Sequence, residues 1–158
     1  MGIDCSSKSI DLVVLDENRN WVDSASFVSK SKDMHKRLVE LGKQFWELML
    51  ALLNLKCEYF VVIENSIFIQ NAKSSIGISQ MVGSIKNMLG LLDVECIGVD
   101  NKTWKKNIVG SGSANKPKIM EFAKGRFNDN ITSQDIADSA CIALFGVMRL
   151  GESDVRML

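Results

Sequence analysis

The chain has 158 residues, the length of a single domain, and 46% of them are apolar, which excludes a disordered chain because that content is enough to form a core. Equal numbers of acidic and basic residues give a formal net charge of zero, so binding to nucleic acid through overall charge is excluded. The single histidine, His35, lies in a polar helix start, which predicts a surface residue rather than a catalyst.

Basic residues are nevertheless concentrated in one segment. Between Lys102 and Arg126 there are seven of them and one acid, Glu121, whereas the first 23 residues carry five acids against two bases. A local basic patch of this kind is sufficient to hold phosphate groups. The alternative explanation is a solvated, lysine-rich surface.

No segment is typical of a membrane or secreted protein. The longest apolar stretch, Phe45 to Leu55, is interrupted by Glu47 and is too short to cross a bilayer. Asp4 interrupts the start of the chain before any apolar signal region can form, so we expect a cytoplasmic protein. The four cysteines lack the Cys-x-x-Cys spacing of a zinc site, and the three that follow Cys5 lie in apolar runs that predict buried thiols.

Three strands joined by short turns are predicted first along the chain. Segments rich in β-forming residues predict strands over 1–4, 10–15 and 21–28, and the short connections predict an antiparallel meander. A helix then begins near the capping residues Ser31 to Asp33 and continues to about Leu55, because apolar residues recur there at helical spacing.

The rest of the chain alternates between strands and helices. In order, we predict a strand over 59–63, a helix over 74–92, a strand over 94–99, a short helix over 101–109, a helix capped by Asn115, and a last helix from Ser133 to about Leu150. The residues after Gly151 are expected to fray. This order predicts one α/β domain over residues 1–158, with a mixed five-stranded sheet and helices on both faces.

Four acidic residues interrupt or end these apolar segments. Asp4 ends the first strand, Glu64 follows the fourth, and Asp135 and Asp138 begin the last helix, where a spacing of three places them on one face. Acidic sites rich in oxygen suit Mg²⁺ or Mn²⁺. Two such ions about 4 Å apart activate a water and stabilise the leaving oxygen in phosphodiester cleavage.

Each of these acids also has a simpler explanation. Asp4 is compatible with a turn residue and Glu64 with a solvated strand end. Asp135 and Asp138 are compatible with acids that stabilise a helix N-terminus through the helix dipole. Periodicity alone does not show that the four converge in space.

Five segments, in this order and spacing, resemble motifs of the RuvC-type Holliday junction resolvases over nearly the full chain. They are Gly2-Ile-Asp-Cys-Ser-Ser, Val61-Val-Ile-Glu-Asn-Ser-Ile-Phe, the helix from Ser75 to Gly83 with Gln80, the segment from Lys105 to Lys116, and Asp135-Ile-Ala-Asp-Ser-Ala. The sequence departs from the family where Cys5-Ser6 replaces the Pro-Gly that often follows the first aspartate. No histidine lies near the last helix, so variants that use one as a ligand are excluded.

The resemblance implies an RNase H-like fold and a metal-dependent endonuclease that resolves Holliday junctions by symmetric hydrolysis. It implies that Asp4, Glu64, Asp135 and Asp138 are the catalytic residues and coordinate two Mg²⁺ ions, with Mn²⁺ as a substitute. It also implies a homodimer, because a junction is two-fold symmetric, and the helix over 74–92 is rich enough in small residues to pack closely.

The resemblance further implies a set of DNA contacts. Lys105 and Lys116 match family lysines near the DNA backbone, and the adjacent Lys106 and Lys118 favour phosphate contact over simple surface charge. Phe68 resembles the aromatic residue that acts at the branch point. Two alternatives remain at this position: Ile67 in that role, or Phe68 as a core residue.

Three other functions compete with this interpretation. A sugar kinase or actin-like ATPase would use Gly2 to Ser7 as a phosphate loop, but 158 residues leave no room for the second domain of those enzymes. A DNA-binding module without catalysis would have no use for the four acids. A nuclease of the same fold that cuts flaps, forks or RNA–DNA hybrids is the main alternative, because a fold does not determine a substrate.

Overall fold

The computed structural model describes residues 1–65 and 72–155, with the backbone alone for 72–74 and 152–155. Phe68 and Ile67 lie outside the described residues. The elements are β1 (Gly2–Cys5), β2 (Ser9–Leu15), β3 (Trp21–Val28), α1 (Met34–Leu53), β4 (Phe60–Glu64), α2 (Ala72–Leu91), β5 (Glu95–Val99), α3 (Asn101–Val109), α4 (Lys116–Phe127), a 3₁₀ turn (Asn128–Asn130) and α5 (Gln134–Val155).

The five strands form one mixed sheet in the order β3-β2-β1-β4-β5. Strands β1, β2 and β3 pair in antiparallel fashion, which confirms the predicted meander. Strand β4 pairs with β1 and β5 in parallel. The parallel pairs require crossovers, and the helices α1 and α2 provide them. The predicted mixed five-stranded sheet is therefore confirmed.

Helices cover both faces of this sheet, as predicted. The core beneath α1 and α2 includes Ile3 and Ile63, and the core beneath α4 and α5 includes Val13 and Val62. Successive side chains of a strand point to opposite faces. Because Ile3 faces α1 and α2, the next residue, Asp4, lies on the α5 side of the sheet. The same alternation places Glu64 on the α5 side.

Several predicted boundaries differ from the structure. Helix α1 ends at Leu53 because the backbone N–H groups of Leu55 and Lys56 bond only three residues back and Lys56 takes a left-handed conformation, with φ of 55°. Helix α5 continues to Val155 rather than ending near Leu150, because Gly151 keeps the helical conformation instead of the left-handed one that ends a helix.

The cysteines differ in their exposure to solvent. Cys57 is exposed, so its prediction as a buried thiol was wrong, while Cys141 is buried as predicted. Cys57 lies after the end of α1 rather than within an element, and its sequence neighbours do not cover it.

Among the described helices, none combines the length and the apolar character that a membrane crossing requires.

Candidate active site

Two acids lie side by side at one edge of the sheet, where the parallel strands end. Ile3 of β1 is in register with Ile63 of β4, so the next residues, Asp4 and Glu64, lie near the carboxyl ends of two adjacent parallel strands. Asp4 also lies directly opposite Asp11 in the antiparallel pair of β1 and β2. Because directly opposed residues share a face of the sheet, Asp11 joins Asp4 on the α5 side.

A close helix–strand contact brings the other two predicted acids to this edge. A Cβ atom on Gly2 would lie 2.2 Å from the Ala143 nitrogen and 2.3 Å from the Ser139 carbonyl oxygen, so only glycine allows α5 to pack this tightly on β1. The Ser139 hydroxyl also donates a hydrogen bond of 2.9 Å to the Asp11 carbonyl. The beginning of α5, with Asp135 and Asp138, is therefore held beside Asp4.

Electrostatic effects show that the four predicted acids form one cluster. Burial raises the pKa of Asp4 well above its usual value, and the negative charges of Glu64, Asp138, Asp135 and Asp11 raise it further. We use the term acidic cluster for these five residues. Bringing like charges together in a partly buried place is unfavourable unless a cation or a proton compensates.

Asp138 is the second member of the cluster with a strongly shifted pKa. Burial raises its pKa to about 6, and Glu64 and Asp135 act in the same direction. A hydrogen bond of 2.9 Å from the Gln134 amide and the positive charge of Lys105 oppose the shift. Asp135 is exposed, so the cluster is open to solvent on the side of the first turn of α5.

Asp11 was not predicted as a site residue. Its side chain is 5% exposed and accepts a hydrogen bond from the Ser26 hydroxyl on β3. Burial raises its pKa, and the hydrogen bond from Ser26 partly offsets this effect. The sequence did contain a signal for Asp11, an acid within the otherwise apolar strand from Ile10 to Leu15. Such an acid indicates a special role because a buried carboxylate needs a specific partner.

Glu64 makes contacts that the sequence did not reveal. Its carboxylate is 8% exposed and accepts hydrogen bonds from the Asn101 amide at 3.0 and 3.1 Å, one to each oxygen. The indole N–H of Trp104 donates a third, of 2.7 Å, to Oε2. Both donors belong to α3, which begins two residues after the end of β5. Because β5 is parallel to β4, α3 starts at the edge where Glu64 lies.

The donor set fits a divalent metal, but the geometry is not that of a complete metal site. All the acids of the cluster offer carboxylate oxygens, the ligands that Mg²⁺ prefers. Among residues 1–65 and 72–155, however, no three His, Cys, Asp or Glu side chains converge closely enough to hold an ion.

Of the predicted lysines, Lys105 lies next to this edge. The ammonium group of Lys105 is 5.4 Å from the centre of the Trp104 ring, and its charge lowers the pKa of Asp138, which places it beside the acidic cluster. Lys106 is exposed on the same helix. Lys116 and Lys118 are exposed in the first turn of α4, where the Asn115 side chain accepts a hydrogen bond of 3.1 Å from the Lys118 backbone.

Comparison with known proteins agrees with this architecture. The sequence model of the family described as crossover junction endodeoxyribonuclease RuvC matches residues 1–145. The chain is 30% identical over 128 residues to the RuvC protein of Orientia tsutsugamushi, which covers 78% of each protein. It is 24% identical over 148 residues to that of Acinetobacter baylyi, which covers 91% of this chain and 80% of the relative.

The fold comparison gives the same result. The structure of Thermus thermophilus RuvC in complex with a Holliday junction substrate superposes with a TM-score of 0.76 at 18% identity, over 95% of this chain and 94% of that one. This likeness and the sheet order confirm the predicted RNase H-like fold. The family match extends over both acidic strand ends and the first turn of α5. The chain belongs to the RuvC family of crossover junction endodeoxyribonucleases.

Proposed function

We propose that this protein is an endonuclease that resolves Holliday junctions by hydrolysing two symmetrically placed phosphodiester bonds. The observation that carries the proposal is the acidic cluster, which gathers Asp4, Glu64, Asp135 and Asp138 near Lys105 in a chain of the RuvC family. The acids suit metal binding and the lysines suit phosphate binding, and phosphodiester hydrolysis requires both.

The acids are the proposed holders of two Mg²⁺ ions, with Mn²⁺ as a substitute. When bound, such ions supply an activated water and stabilise the charge that develops on the leaving oxygen. The protein itself positions the acids that would hold these ions. The contact at Gly2 fixes α5 against β1, so that Asp135 and Asp138 face the strand-end acids. Lys105, beside Asp138, places a positive charge where a DNA phosphate would approach.

The proposed DNA surface consists of Lys105, Lys106, Lys116 and Lys118. These lysines lie on α3 and at the start of α4, on both sides of a loop that begins with the left-handed Gly110. Phosphate contacts position the DNA without reading its sequence. Branched DNA is the proposed partner because one solved relative is described in complex with a Holliday junction substrate. Phe68 stays a prediction as the residue at the branch point.

We expect Lys116→Ala and Lys118→Ala each to weaken junction binding and to reduce its dependence on salt. A lysine that contacts a phosphate releases counterions, so the loss of one contact should lower the slope of log affinity against log salt concentration by about 1. Fluorescence anisotropy with a labelled junction at several salt concentrations measures this slope. Lys43→Ala, which changes an exposed lysine on α1, should leave it unchanged. Equal slopes for all the proteins would remove Lys116 and Lys118 from the DNA surface.

A homodimer through α2 is the proposed assembly. Helix α2 exposes a face with Ile76 at 59% and Leu91 at 69% exposure, and Cβ atoms on Gly83 and Gly90 would meet nothing within 4 Å. Small and apolar side chains on one exposed face allow two helices to approach closely. Gly77 and Met81 of the same helix are buried and lie outside this face. Gly77 packs near Ser7 and Met34, and Met81 belongs to the core beneath α1 and α2.

We expect Gly83→Glu to weaken the dimer by at least about 10-fold, because two buried like charges would meet across a symmetric interface. Sedimentation velocity at micromolar concentration measures the dissociation constant. Gly125→Glu is a matched control, since Gly125 is also an exposed helical glycine with open space around its Cβ position. A wild-type protein that sediments as a monomer would contradict the assembly.

Cleavage of a labelled four-way junction with Mg²⁺, beside a fork, a flap, an RNA–DNA hybrid and a linear duplex, tests the proposed function. We expect paired symmetric nicks in the junction, with 5′-phosphate and 3′-hydroxyl ends. Equal cutting of forks and flaps would keep the nuclease but replace the resolvase with a general branch nuclease. Tight junction binding without any cutting would favour the DNA-binding module.

A further inference from the structure

Helix α3 holds the carboxylate of Glu64 through two side chains that the family resemblance did not single out. The amide of Asn101 bonds to both oxygens of the carboxylate, and the indole N–H of Trp104 bonds to Oε2. The geometry points to Asn101 and Trp104 as positioning residues that fix the Glu64 carboxylate for metal binding, an inference that rests on the proposed function.

The burial of Trp104 supports a role beyond packing. Its side chain is fully buried in the core beneath α4 and α5, and a buried indole N–H needs an acceptor. The acceptor here is a carboxylate of the proposed metal site, and hydrogen bonds to ionised groups are shorter and stronger than those between neutral groups. The ring therefore anchors Glu64 to a fully buried side chain of this core.

Asn101 controls a different property of the carboxylate. Because its amide donates to both oxygens, it fixes the plane of the group and not only the position of one atom. Asn101 is the first residue of α3, and the side chain of Asp100 caps this helix by accepting a bond of 3.0 Å from the Thr103 backbone. The cap fixes the first turn of α3, and this turn fixes the position of Asn101.

The position given to Glu64 keeps it near two other acids of the cluster. Its charge raises the pKa of both Asp4 on β1 and Asp138 on α5, so it lies within electrostatic reach of both elements. Residues that orient a metal ligand typically change metal affinity by about 10- to 100-fold when they are removed. Loss of the restraints from α3 is therefore expected to weaken metal binding although neither residue is a ligand.

Mn²⁺ titration of the full chain tests this inference, with affinity measured by isothermal calorimetry and free Mn²⁺ by electron paramagnetic resonance. We expect Asn101→Ala and Trp104→Phe each to weaken Mn²⁺ binding by about 10- to 100-fold. Asn107→Ala is the matched control for Asn101, since its amide bonds to the Thr103 carbonyl within α3. Trp21→Phe controls for the loss of a tryptophan, because Trp21 packs against Phe127 away from the acids.

A second background separates positioning from general damage to the fold. If Asn101 acts through Glu64, Asn101→Ala should cause almost no further loss of Mn²⁺ affinity in the Glu64→Gln protein, because the effects of coupled residues are not additive. The same 10- to 100-fold loss in both backgrounds would overturn the inference, as would unchanged or tighter Mn²⁺ binding in Asn101→Ala and Trp104→Phe. Junction cleavage by the wild-type protein is scored separately. A wild type that binds Mn²⁺ but cuts no junction removes the proposed function, while the affinities of the variants still decide the roles of Asn101 and Trp104.

Discussion

Replacement of Glu64 by glutamine is expected to abolish junction cleavage and to leave junction binding intact. A metal site supplies several kcal/mol of transition-state stabilisation, which corresponds to a loss of about 1000-fold or more in rate when a ligand is removed. The glutamine side chain has nearly the same volume, so the packing around Trp104 should persist. Its amide nitrogen, however, would face a donor from Asn101 or Trp104 and would offer a poor ligand to a cation.

Single-turnover cleavage of a labelled four-way junction in Mg²⁺ measures this loss, and anisotropy with the same junction in Ca²⁺ or EDTA measures binding. Glu95→Gln is the matched control, because Glu95 is an exposed carboxylate at the opposite end of the neighbouring strand β5. Cleavage by the Glu64→Gln protein at the rate of the wild type would overturn the assignment of the site. A parallel loss of junction binding would indicate damage to the fold or to the DNA surface instead.

The fold was predictable from the sequence because most of its elements have clear local signals. The meander follows from strands joined by short turns, and the helix caps at Asp33, Asn115 and Ser133 all act as such in the structure. The boundaries were harder. The ends of α1 and α5 depend on whether one residue takes a left-handed conformation, and local composition does not determine this.

The acidic residues of the candidate site were predictable for a different reason. A carboxylate that ends a buried strand or begins a buried helix is conspicuous against apolar neighbours, as Asp4, Glu64 and Asp138 are. What the sequence did not provide was the contacts between elements. Asn101 and Trp104 lie 37 and 40 residues from Glu64, and only the parallel pairing of β4 with β5 brings them together.

The zero net charge of the chain also has a structural explanation. Acids gather at the strand ends and at the first turn of α5, whereas lysines cover α3 and the start of α4. Both groups are counted in the same sum, so the sum does not reveal that the charges are separated within the chain. Net charge alone was therefore a poor guide to a nucleic-acid binder.

Replacement of Asp138 by asparagine is expected to stabilise the metal-free protein at neutral pH. Burial and neighbouring acids raise the pKa of this carboxyl from 3.8 to about 6 in the folded state, so the ionised form opposes folding. One pKa unit corresponds to about 1.4 kcal/mol, and the gain in unfolding free energy at pH 7.5 should be roughly 1–3 kcal/mol. The amide oxygen of asparagine can still accept the hydrogen bond from Gln134, so that contact is retained.

The pH dependence gives this prediction its sign. Below about pH 3 the carboxyl is protonated in both states, and its ionisation then makes no difference between the stabilities of the variant and the wild type. As pH rises from 3.8 towards 6, the unfolded state ionises first and the wild type loses stability relative to the variant. Above this range the difference should remain constant. Urea unfolding in EDTA at a series of pH values measures it.

Mg²⁺ provides the decisive comparison for the same variant. A cation that binds the folded protein stabilises it by mass action, so Mg²⁺ should raise the stability of the wild type more than that of Asp138→Asn. Asp129→Asn, at an exposed aspartate in the 3₁₀ turn, should behave as the wild type does under all conditions. If Asp138→Asn is less stable than the wild type in EDTA at pH 7.5, its carboxylate is compensated within the protein itself, and the acidic cluster would not need a metal to offset its charge.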